Sequence, residues 1–251
     1  MDAYVYGVTR SAAAPPPSTT GVDGQTVEAV FENGLAAIVS DAPSVPVKAS
    51  RRNLMAHSQV LQAVSDQRCV LPMRFGVVMP GRAAVREELL GLHAAALLAQ
   101  LDELDGLVEL DVRALSSEEG LLRAAVAGRS DITRLRAQLE GQPLEATYYE
   151  RIRLGELVAQ AVGDVREAIA ARIAGELEPH AAVAQRDDPQ HEHVLASLAF
   201  LVERERVKEF DAAVERLGAQ LGSDIRLRYV GPLPPHSFVD LSAELEAEAW
   251  A

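Results

Sequence analysis

The chain of 251 residues contains one cysteine and two lysines, and these low counts exclude an internal disulfide and a lysine-rich basic patch. A single cysteine, Cys69, cannot form an internal disulfide, which is typical of a reducing compartment. Lys48 and Lys208 are the only lysines and the arginines are scattered, so no concentrated basic patch offsets the net charge of -13. Nucleic acid and an anionic membrane surface are therefore excluded as the main partners.

Long apolar runs are also missing. No stretch approaches the roughly 18 residues needed to cross a bilayer, and the N-terminus lacks the basic, apolar and small-residue regions of a secretion signal. We therefore expect a soluble, cytoplasmic protein that does not enter a membrane. With 48% hydrophobic residues the chain can still bury a core. The apolar neighbours of Cys69 favour a buried strand thiol over a reactive one.

The common catalytic and nucleotide-binding motifs are absent from the sequence. It has no Gly-x-Gly-x-x-Gly fingerprint, no Gly-Lys-Ser/Thr phosphate loop and no Gly-x-Ser-x-Gly nucleophile elbow. Ser237 follows His236, but no third residue that would orient this pair is identifiable. We therefore expect neither an enzyme nor a cofactor site.

One group of residues has the chemistry of metal ligands. Asp187, Asp188, His191 and His193 combine carboxylates with two imidazoles at i and i+2, which could share one face of a strand. Asp188 is followed by a proline, however, and polar residues of this kind form turns between strands. We favour a plain turn and expect no metal site. His57 and His93 are each explained as a helix-surface or satisfied core histidine.

Hydrophobic periodicity and turn residues predict the elements of the first half of the chain. The Asn33-Gly34 dipeptide is the strongest signal, because it is typical of a two-residue hairpin turn. The predicted elements are a strand at Tyr4–Thr9, an exposed loop containing Pro15–Pro17, a hairpin of Val27–Glu32 and Leu35–Ser40, a helix at Arg51–Asp66 with Leu54, Leu61 and Val64 on one side, a strand at Cys69–Leu71, and a helix from Pro80-Gly81 to Leu104.

The second half predicts strand, helix, strand, strand, helix, strand, which is the ferredoxin-like plan. A polar stretch at Ser116–Gly141 interrupts this order and is interpreted as broken helices. The remaining elements are a strand at Leu107–Val112, a long helix at Leu144–Leu177, strands at His180–Arg186 and Val194–Val202, a helix at Val207–Leu221 and a strand at Ile225–Val230.

These elements predict an α+β fold with two domains. Residues 1–105 form an N-terminal α+β sandwich, and residues 106–239 form a ferredoxin-like βαββαβ domain with a helical insertion near 116–141. Residues 240–251 form an acidic tail that also carries Leu241, Leu245 and Trp250. A frayed terminus is the default interpretation of such a tail, and its tryptophan leaves a docking element as the alternative.

Two segments carry unusually specific patterns. Gly231–Val239 places three prolines within four residues after a strand, so the strand is expected to end there and the segment to lie on the surface. Leu71–Gly76 surrounds Arg74 with apolar residues, so its guanidinium is expected to be partly buried and bonded to acceptors. Arg74 then either holds carboxylate or carbonyl groups between the domains or anchors a partner.

Together with Tyr4–Val8, the run Ala199–Val202 and the helix residues Phe210, Val214 and Leu217, these two segments resemble the gas vesicle protein GvpF/GvpL family. The resemblance extends from Tyr4 to about Val239. Two positions depart from the family pattern, which often has an aromatic residue at Leu233 and a tyrosine at His236.

The resemblance implies a non-enzymatic minor gas vesicle protein. Such a protein binds the hydrophobic major shell subunit and supports nucleation and assembly of the vesicle. Other minor gas vesicle proteins are possible further partners, and the expected location is the cytoplasm, in association with the gas vesicle. The alternative function is a small-molecule-sensing regulatory protein with paired ferredoxin-like domains. The residues expected to bind the partner are Leu71, Pro72, Met73, Arg74, Phe75, Gly231, Pro232, Pro234, Pro235 and Phe238.

Overall fold

A computed structural model describes most of the chain, namely residues 1–11, 19–42, 46–187, 191, 193–222 and 224–239. The chain divides into two compact units, Met1–Glu109 together with the described closing residues 231–239, and Leu110–Val230. The predicted domain boundary after residue 105 lies close to this division. The closing segment, however, groups with the first unit, whereas the sequence interpretation assigned it to the second. The predicted loop at Pro15–Pro17 lies outside the described residues.

The first unit is built on an antiparallel sheet with the strand order β2-β3-β1-β4, in which β5 also pairs with β1. Its five strands are β1 (Ala3–Arg10), β2 (Glu28–Glu32), β3 (Leu35–Asp41), β4 (Val70–Pro72) and β5 (Val78–Met79). Cys69 precedes β4 and is half-buried, so it is not the fully buried strand thiol that its neighbours suggested.

The predicted hairpin between β2 and β3 is confirmed. Glu32 pairs with Leu35 across the turn. Asn33 and Gly34 both have positive φ, at 49° and 77°, which is the backbone geometry of a type I′ turn. The local sequence is therefore sufficient to fix this connection.

The helices of the first unit also follow the sequence closely. They are α1 (Arg51–Ser65), α2 (Gly81–Ala84), a π-helical segment (Val85–Leu92) and α3 (Ala94–Glu103). Ser50 caps α1 by accepting a hydrogen bond from the Asn53 backbone N–H. The prediction that Leu54 lies on the same side of α1 as the buried Leu61 and Val64 was wrong, because Leu54 is 43% exposed. The buried side of α1 includes the polar residues Asn53 and His57 instead.

The second unit has a four-stranded sheet in the order β7-β8-β6-β9. Its core contains Phe200 and Phe210 in ring contact, with centroids 5.1 Å apart. The elements are β6 (Leu107–Ser116), α4 (Glu118–Val126), α5 (Ser130–Leu139), α6 (Tyr148–Leu177), β7 (Val183–Asp187), β8 (Val194–Glu203), α7 (Val207–Gln220) and β9 (Ile225–Leu233). The predicted α+β class with two sheets is thus confirmed, as are the broken helices between residues 116 and 141.

The end of β9 corrects one expectation. The strand was expected to end at Val230, yet it continues through Gly231 and Pro232 to Leu233. A proline lacks the N–H that an interior strand needs, but it is tolerated where one side of the strand is unpaired. Because β9 lies at the edge of its sheet, the strand ends only at the Pro234-Pro235 pair. Among the described residues, none of the helices has the length and apolarity to span a bilayer.

Candidate functional site

The first half of the Leu71–Gly76 segment is part of the sheet. Leu71 and Pro72 pair with β1, and the Met73 backbone N–H donates to the carbonyl oxygen of Tyr6 at 2.8 Å. The side chains of these three residues are buried. Only after Met73 does the segment leave the sheet and reach the surface.

Arg74 is exposed, which corrects the expectation of a partly buried guanidinium. Phe75 is half-buried, and the chain then turns at Gly76, whose φ of 97° favours glycine. The segment therefore presents two accessible side chains, Arg74 and part of Phe75, on a backbone that the sheet holds in place.

His57 is the residue that fastens this turn to the rest of the unit. Its Nε2 lies 3.1 Å from the Met73 carbonyl oxygen, and its Nδ1 lies 2.8 Å from Tyr4 Oη. Because a carbonyl oxygen only accepts, Nε2 carries the proton, and Nδ1 accepts from the Tyr4 hydroxyl. Tyr4 Oη in turn accepts from the Gly76 backbone N–H at 3.2 Å. A chain of three hydrogen bonds therefore connects both ends of the turn through one neutral imidazole.

The electrostatics of this network favour the neutral state of its members. Burial lowers the pKa of His57 to about 4, although the hydrogen bond to Met73 opposes that shift and the nearby His236 adds to it. Burial also raises the pKa of Tyr4 and of Tyr6. All three side chains therefore remain uncharged near neutral pH, which suits a structural network better than acid–base chemistry.

Four rings pack around these hydrogen bonds. Tyr4 and Tyr6 have ring centroids 4.8 Å apart, and His57 stacks on Tyr6 at 5.5 Å. Phe75 contacts both Tyr4 and His57, at 5.9 Å and 5.7 Å. We call Tyr4, Tyr6, His57 and Phe75 the aromatic cluster. Because Phe75 belongs to it, the exposed turn is directly connected to the core.

Tyr6 extends the network to a second loop. Its hydroxyl lies 3.0 Å from Ser40 Oγ and accepts from the Val22 backbone N–H at 2.7 Å. Gly21 is required at this approach, because a Cβ atom there would overlap the Tyr6 hydroxyl. The aromatic cluster therefore positions the loop before β2 as well as the Leu71–Gly76 turn.

The closing segment Gly231–Phe238 is held by a residue that the sequence did not single out. Glu109 is only 2% exposed, and its two carboxylate oxygens accept from the backbone N–H and the hydroxyl of Ser237, each at 2.8 Å. Both residues belong to the first unit. Glu109 alternates with apolar residues in β6, a pattern that is typical of the solvent face of a strand, so only the tertiary structure reveals its burial.

Within this segment, Pro234 and Pro235 are buried whereas Gly231 and Pro232 are exposed and Phe238 is half-buried. The His236 N–H bonds to the Pro234 carbonyl at 2.8 Å, which closes a tight turn. His236 also acts electrostatically on His57. The two motif segments therefore belong to the same unit and converge on His57.

The Ser237 hydroxyl donates to the Glu109 carboxylate. The bond partner of this serine is therefore a carboxylate and not the imidazole that a serine–histidine pair would use. Among the described residues, no group of three His, Cys, Asp or Glu side chains could hold a metal ion. Asp188, one of the four candidate ligands, lies outside the described residues. The geometry instead presents a positioned surface turn.

Comparison with known proteins agrees with the resemblance stated above. The family model of gas vesicle synthesis protein GvpL/GvpF matches residues 2–240. Gas vesicle protein F of Streptomyces sp. (strain CB03234) is 37% identical over 243 residues, which cover 96% of this chain and 100% of that protein.

Two solved structures are similar over nearly the whole chain. The crystal structure of GvpF from Anabaena sp. PCC7120 has a TM-score of 0.81 and 29% identity, covering 96% of this chain and 99% of that one. GvpF from Microcystis aeruginosa has a TM-score of 0.79 and 26% identity with the same coverage. The protein therefore belongs to the gas vesicle synthesis protein GvpL/GvpF family.

Proposed function

We propose that this protein is a non-enzymatic accessory component of the gas vesicle that binds the hydrophobic shell subunit and supports nucleation and assembly of the shell. The match of the family model over residues 2–240 is the observation that carries this proposal. The protein acts in the cytoplasm and on the growing vesicle, where other minor gas vesicle proteins are further candidate partners. An acidic binder suits this role, because its net charge of -13 keeps a complex with an apolar subunit dispersed.

The proposed contact surface consists of the accessible parts of the two motif segments. Arg74, Phe75, Gly231, Pro232 and Phe238 have exposed or half-buried surface. The other five candidate residues, Leu71, Pro72, Met73, Pro234 and Pro235, are buried. Their part in the proposal is to support the backbone of the surface, because a buried side chain cannot contact a partner in this fold.

A co-purification experiment tests the contact surface. We would co-express the chain with the shell subunit and compare Arg74→Glu with Arg216→Glu, since Arg216 is an exposed arginine on α7 in the second unit. We expect the wild type and the α7 variant to retain the subunit and Arg74→Glu to lose it. Equal retention by both variants would refute the surface at Arg74. No retention by any of the three chains would refute shell binding itself.

A finer description of the second unit is also proposed, namely that it is ferredoxin-like. Two observations support it: its elements follow in the order strand, helices, strand, strand, helix, strand, and its sheet has the order β9-β6-β8-β7. Helices α4 and α5 then form an insertion in the first connection. The related α+β sandwich predicted for the first unit stays a proposal of the same kind.

A further inference from the structure

The start of α1 groups three positive charges in a chain that is acidic as a whole. Lys48, Arg51 and Arg52 are all exposed, whereas the net charge of the chain is -13. In the described part of the chain, none of the three forms an ion pair with an acidic side chain. Asp23 lies near this end of α1 but bonds to Asn53 instead. The three charges are therefore available to a further acidic segment.

The position of these charges is unfavourable for the helix itself. The N-terminal end of an α-helix carries partial positive charge, so an anion is stabilising there and a cation is not. The first turn of α1 contains Arg51 and Arg52 but no acidic residue. The two arginines therefore do not stabilise α1, and together with the helix end they attract a negatively charged group.

A shallow apolar groove lies beside the same charges. It has a volume of about 430 Å³ and is lined by Arg51, Leu54, Met55, Ser58 and Gln59. Leu54 and Met55 are 43% and 50% exposed. A methionine sulfur and an arginine guanidinium both interact favourably with an aromatic ring. The groove and its charges therefore suit an aromatic residue that belongs to an acidic segment.

The tail of this chain has that composition. Residues 240–251 lie outside the described part of the chain. Their acidic residues are Asp240, Glu244, Glu246 and Glu248. Trp250 is the only tryptophan of the protein. Because the family model matches residues 2–240, the features that the family shares do not account for this tail.

The tail begins close enough to α1 to reach the groove. The described part of the closing segment ends at Val239, and its His236 acts electrostatically on His57, a buried residue of α1. An extended chain spans about 3.3–3.6 Å per residue, so the distance from Val239 to Trp250 can be roughly 36 Å. The groove lies on the other side of a helix that is only about 10–12 Å in diameter. The tail can therefore pass around α1.

We propose that the tail of the same chain docks on this surface of α1, with Trp250 in the groove against Met55 and Arg51 and the tail glutamates beside the three positive charges. The indole ring and the groove bury apolar surface against each other. Because both belong to one chain, the tail is present at an effective concentration of about a millimolar. A weak contact is therefore sufficient, and the docked tail covers Leu54 and Met55.

Tryptophan fluorescence tests the docking in the full chain, because Trp250 is the only source of the signal. We would compare acrylamide quenching of the protein with that of a synthetic peptide of residues 240–251, in which the indole is accessible. We expect a clearly smaller quenching constant in the protein, with the same value at about 1 and 50 µM, because docking within one chain does not depend on concentration.

Two outcomes of this measurement would overturn the proposal. Quenching as strong as in the peptide would show that Trp250 is not covered. Protection that is lost on dilution would show that the tail binds a second copy of the chain instead of its own α1.

Charge reversal tests whether α1 is the docking surface. We expect the double variant Arg51→Glu with Arg52→Glu to shift the docking equilibrium at least about tenfold toward the accessible indole, since attraction is replaced by repulsion at both positions. The helix should still form, because acidic residues are favourable in its first turn. Arg134→Glu with Arg136→Glu is the matched control, since it reverses two exposed arginines of α5 in the second unit. Equal quenching in the two double variants would refute docking on α1.

A charge swap tests whether the tail glutamates make the contact. Glu244→Arg with Glu246→Arg, added to the α1 double variant, restores opposite charges on the two sides. We expect the quenching constant to return toward the wild-type value. If the indole stays as accessible as in the α1 variant, the tail does not pair with these charges and the proposal is wrong.

Discussion

Two pairs of tyrosines in this protein have opposite environments. Tyr4 and Tyr6 are completely buried in the first unit, and the hydroxyl of each bonds within the chain. Tyr148 and Tyr149 are exposed at the start of α6, where their rings contact each other at 5.5 Å. The first pair stabilises a loop and a turn from inside, whereas the second presents its rings to solvent at a helix start that Thr147 and Arg151 hold by a hydrogen bond. The same type of side chain is thus part of the core in one unit and part of the surface in the other.

The difference follows from the neighbouring polar groups. A buried tyrosine requires a partner for its hydroxyl. Tyr4 bonds to His57 and Gly76, and Tyr6 bonds to Ser40 and Val22. At the start of α6, the polar side chains of Thr147 and Arg151 bond to each other instead. Tyr148 and Tyr149 therefore stay exposed to solvent.

Truncation of one tyrosine from each pair gives the largest expected contrast. Tyr4→Ala leaves a cavity in the aromatic cluster and removes a hydroxyl that bonds to His57, so we expect a loss of about 3–5 kcal/mol in unfolding free energy. Tyr149→Ala should change it by no more than about 0.5 kcal/mol. Urea unfolding followed by circular dichroism measures both. Similar losses in the two variants would contradict the contrast.

The pH dependence of stability gives the next largest effect. Since burial lowers the pKa of His57 to about 4 from its ordinary 6.5, the folded state favours the neutral ring. The resulting stability is fully present above pH 6.5 and is lost as the pH falls from about 6.5 to about 4, by roughly 3 kcal/mol in total.

His57→Gln isolates this contribution, because every other titrating group remains in both proteins. We expect the difference in unfolding free energy between wild type and variant to shrink steadily as the pH falls across that window. Urea titrations at several pH values measure it. A difference that stays constant from pH 6.5 to pH 4 would show that His57 does not titrate differently in the folded state.

Removal of the hydrogen bonds of Thr147 at the start of α6 gives the smallest expected effect on stability. Thr147→Val keeps the shape of the side chain but removes its bonds to Pro143 and Arg151, so we expect a loss of about 1 kcal/mol, together with faster amide hydrogen exchange around Tyr148. Thr133→Val is the control, because Thr133 is exposed and its hydroxyl donates to the carbonyl of Arg129, the residue that precedes its own helix α5. Equal exchange rates near Tyr148 in the two variants would show that the Thr147 hydrogen bonds do not order the start of α6.

Much of the fold was predictable because its signals are local. The Asn33-Gly34 turn depends on two residues, and the start of α1 depends on the Ser50 cap. The broken helices between residues 116 and 141 and the long α6 also follow from short-range pattern. The approximate division into two parts could be anticipated, but the return of the closing segment to the first unit could not.

The features that the sequence pattern does not predict all depend on residues that are distant in the chain. Leu54 shares helical spacing with Leu61, yet the side of α1 that packs inward is set by Tyr4, which bonds to His57. Glu109 alternates with apolar residues as an exposed strand residue does, but Ser237 covers it. Pro232 lies within a strand because β9 is at an edge. None of these partners lies near in sequence.

The sequence by itself determined the element types, the α+β class, the family and the two motif segments, since propensity, turn chemistry and periodicity act over a few residues. Only the tertiary structure decided which motif residues are buried and which are accessible. Burial and hydrogen-bond satisfaction depend on residues that are far apart in the chain, as between Glu109 and Ser237. The same physical reason explains why the tyrosines of β1, whose hydroxyls bond within the chain, are buried while the pair on α6 is exposed.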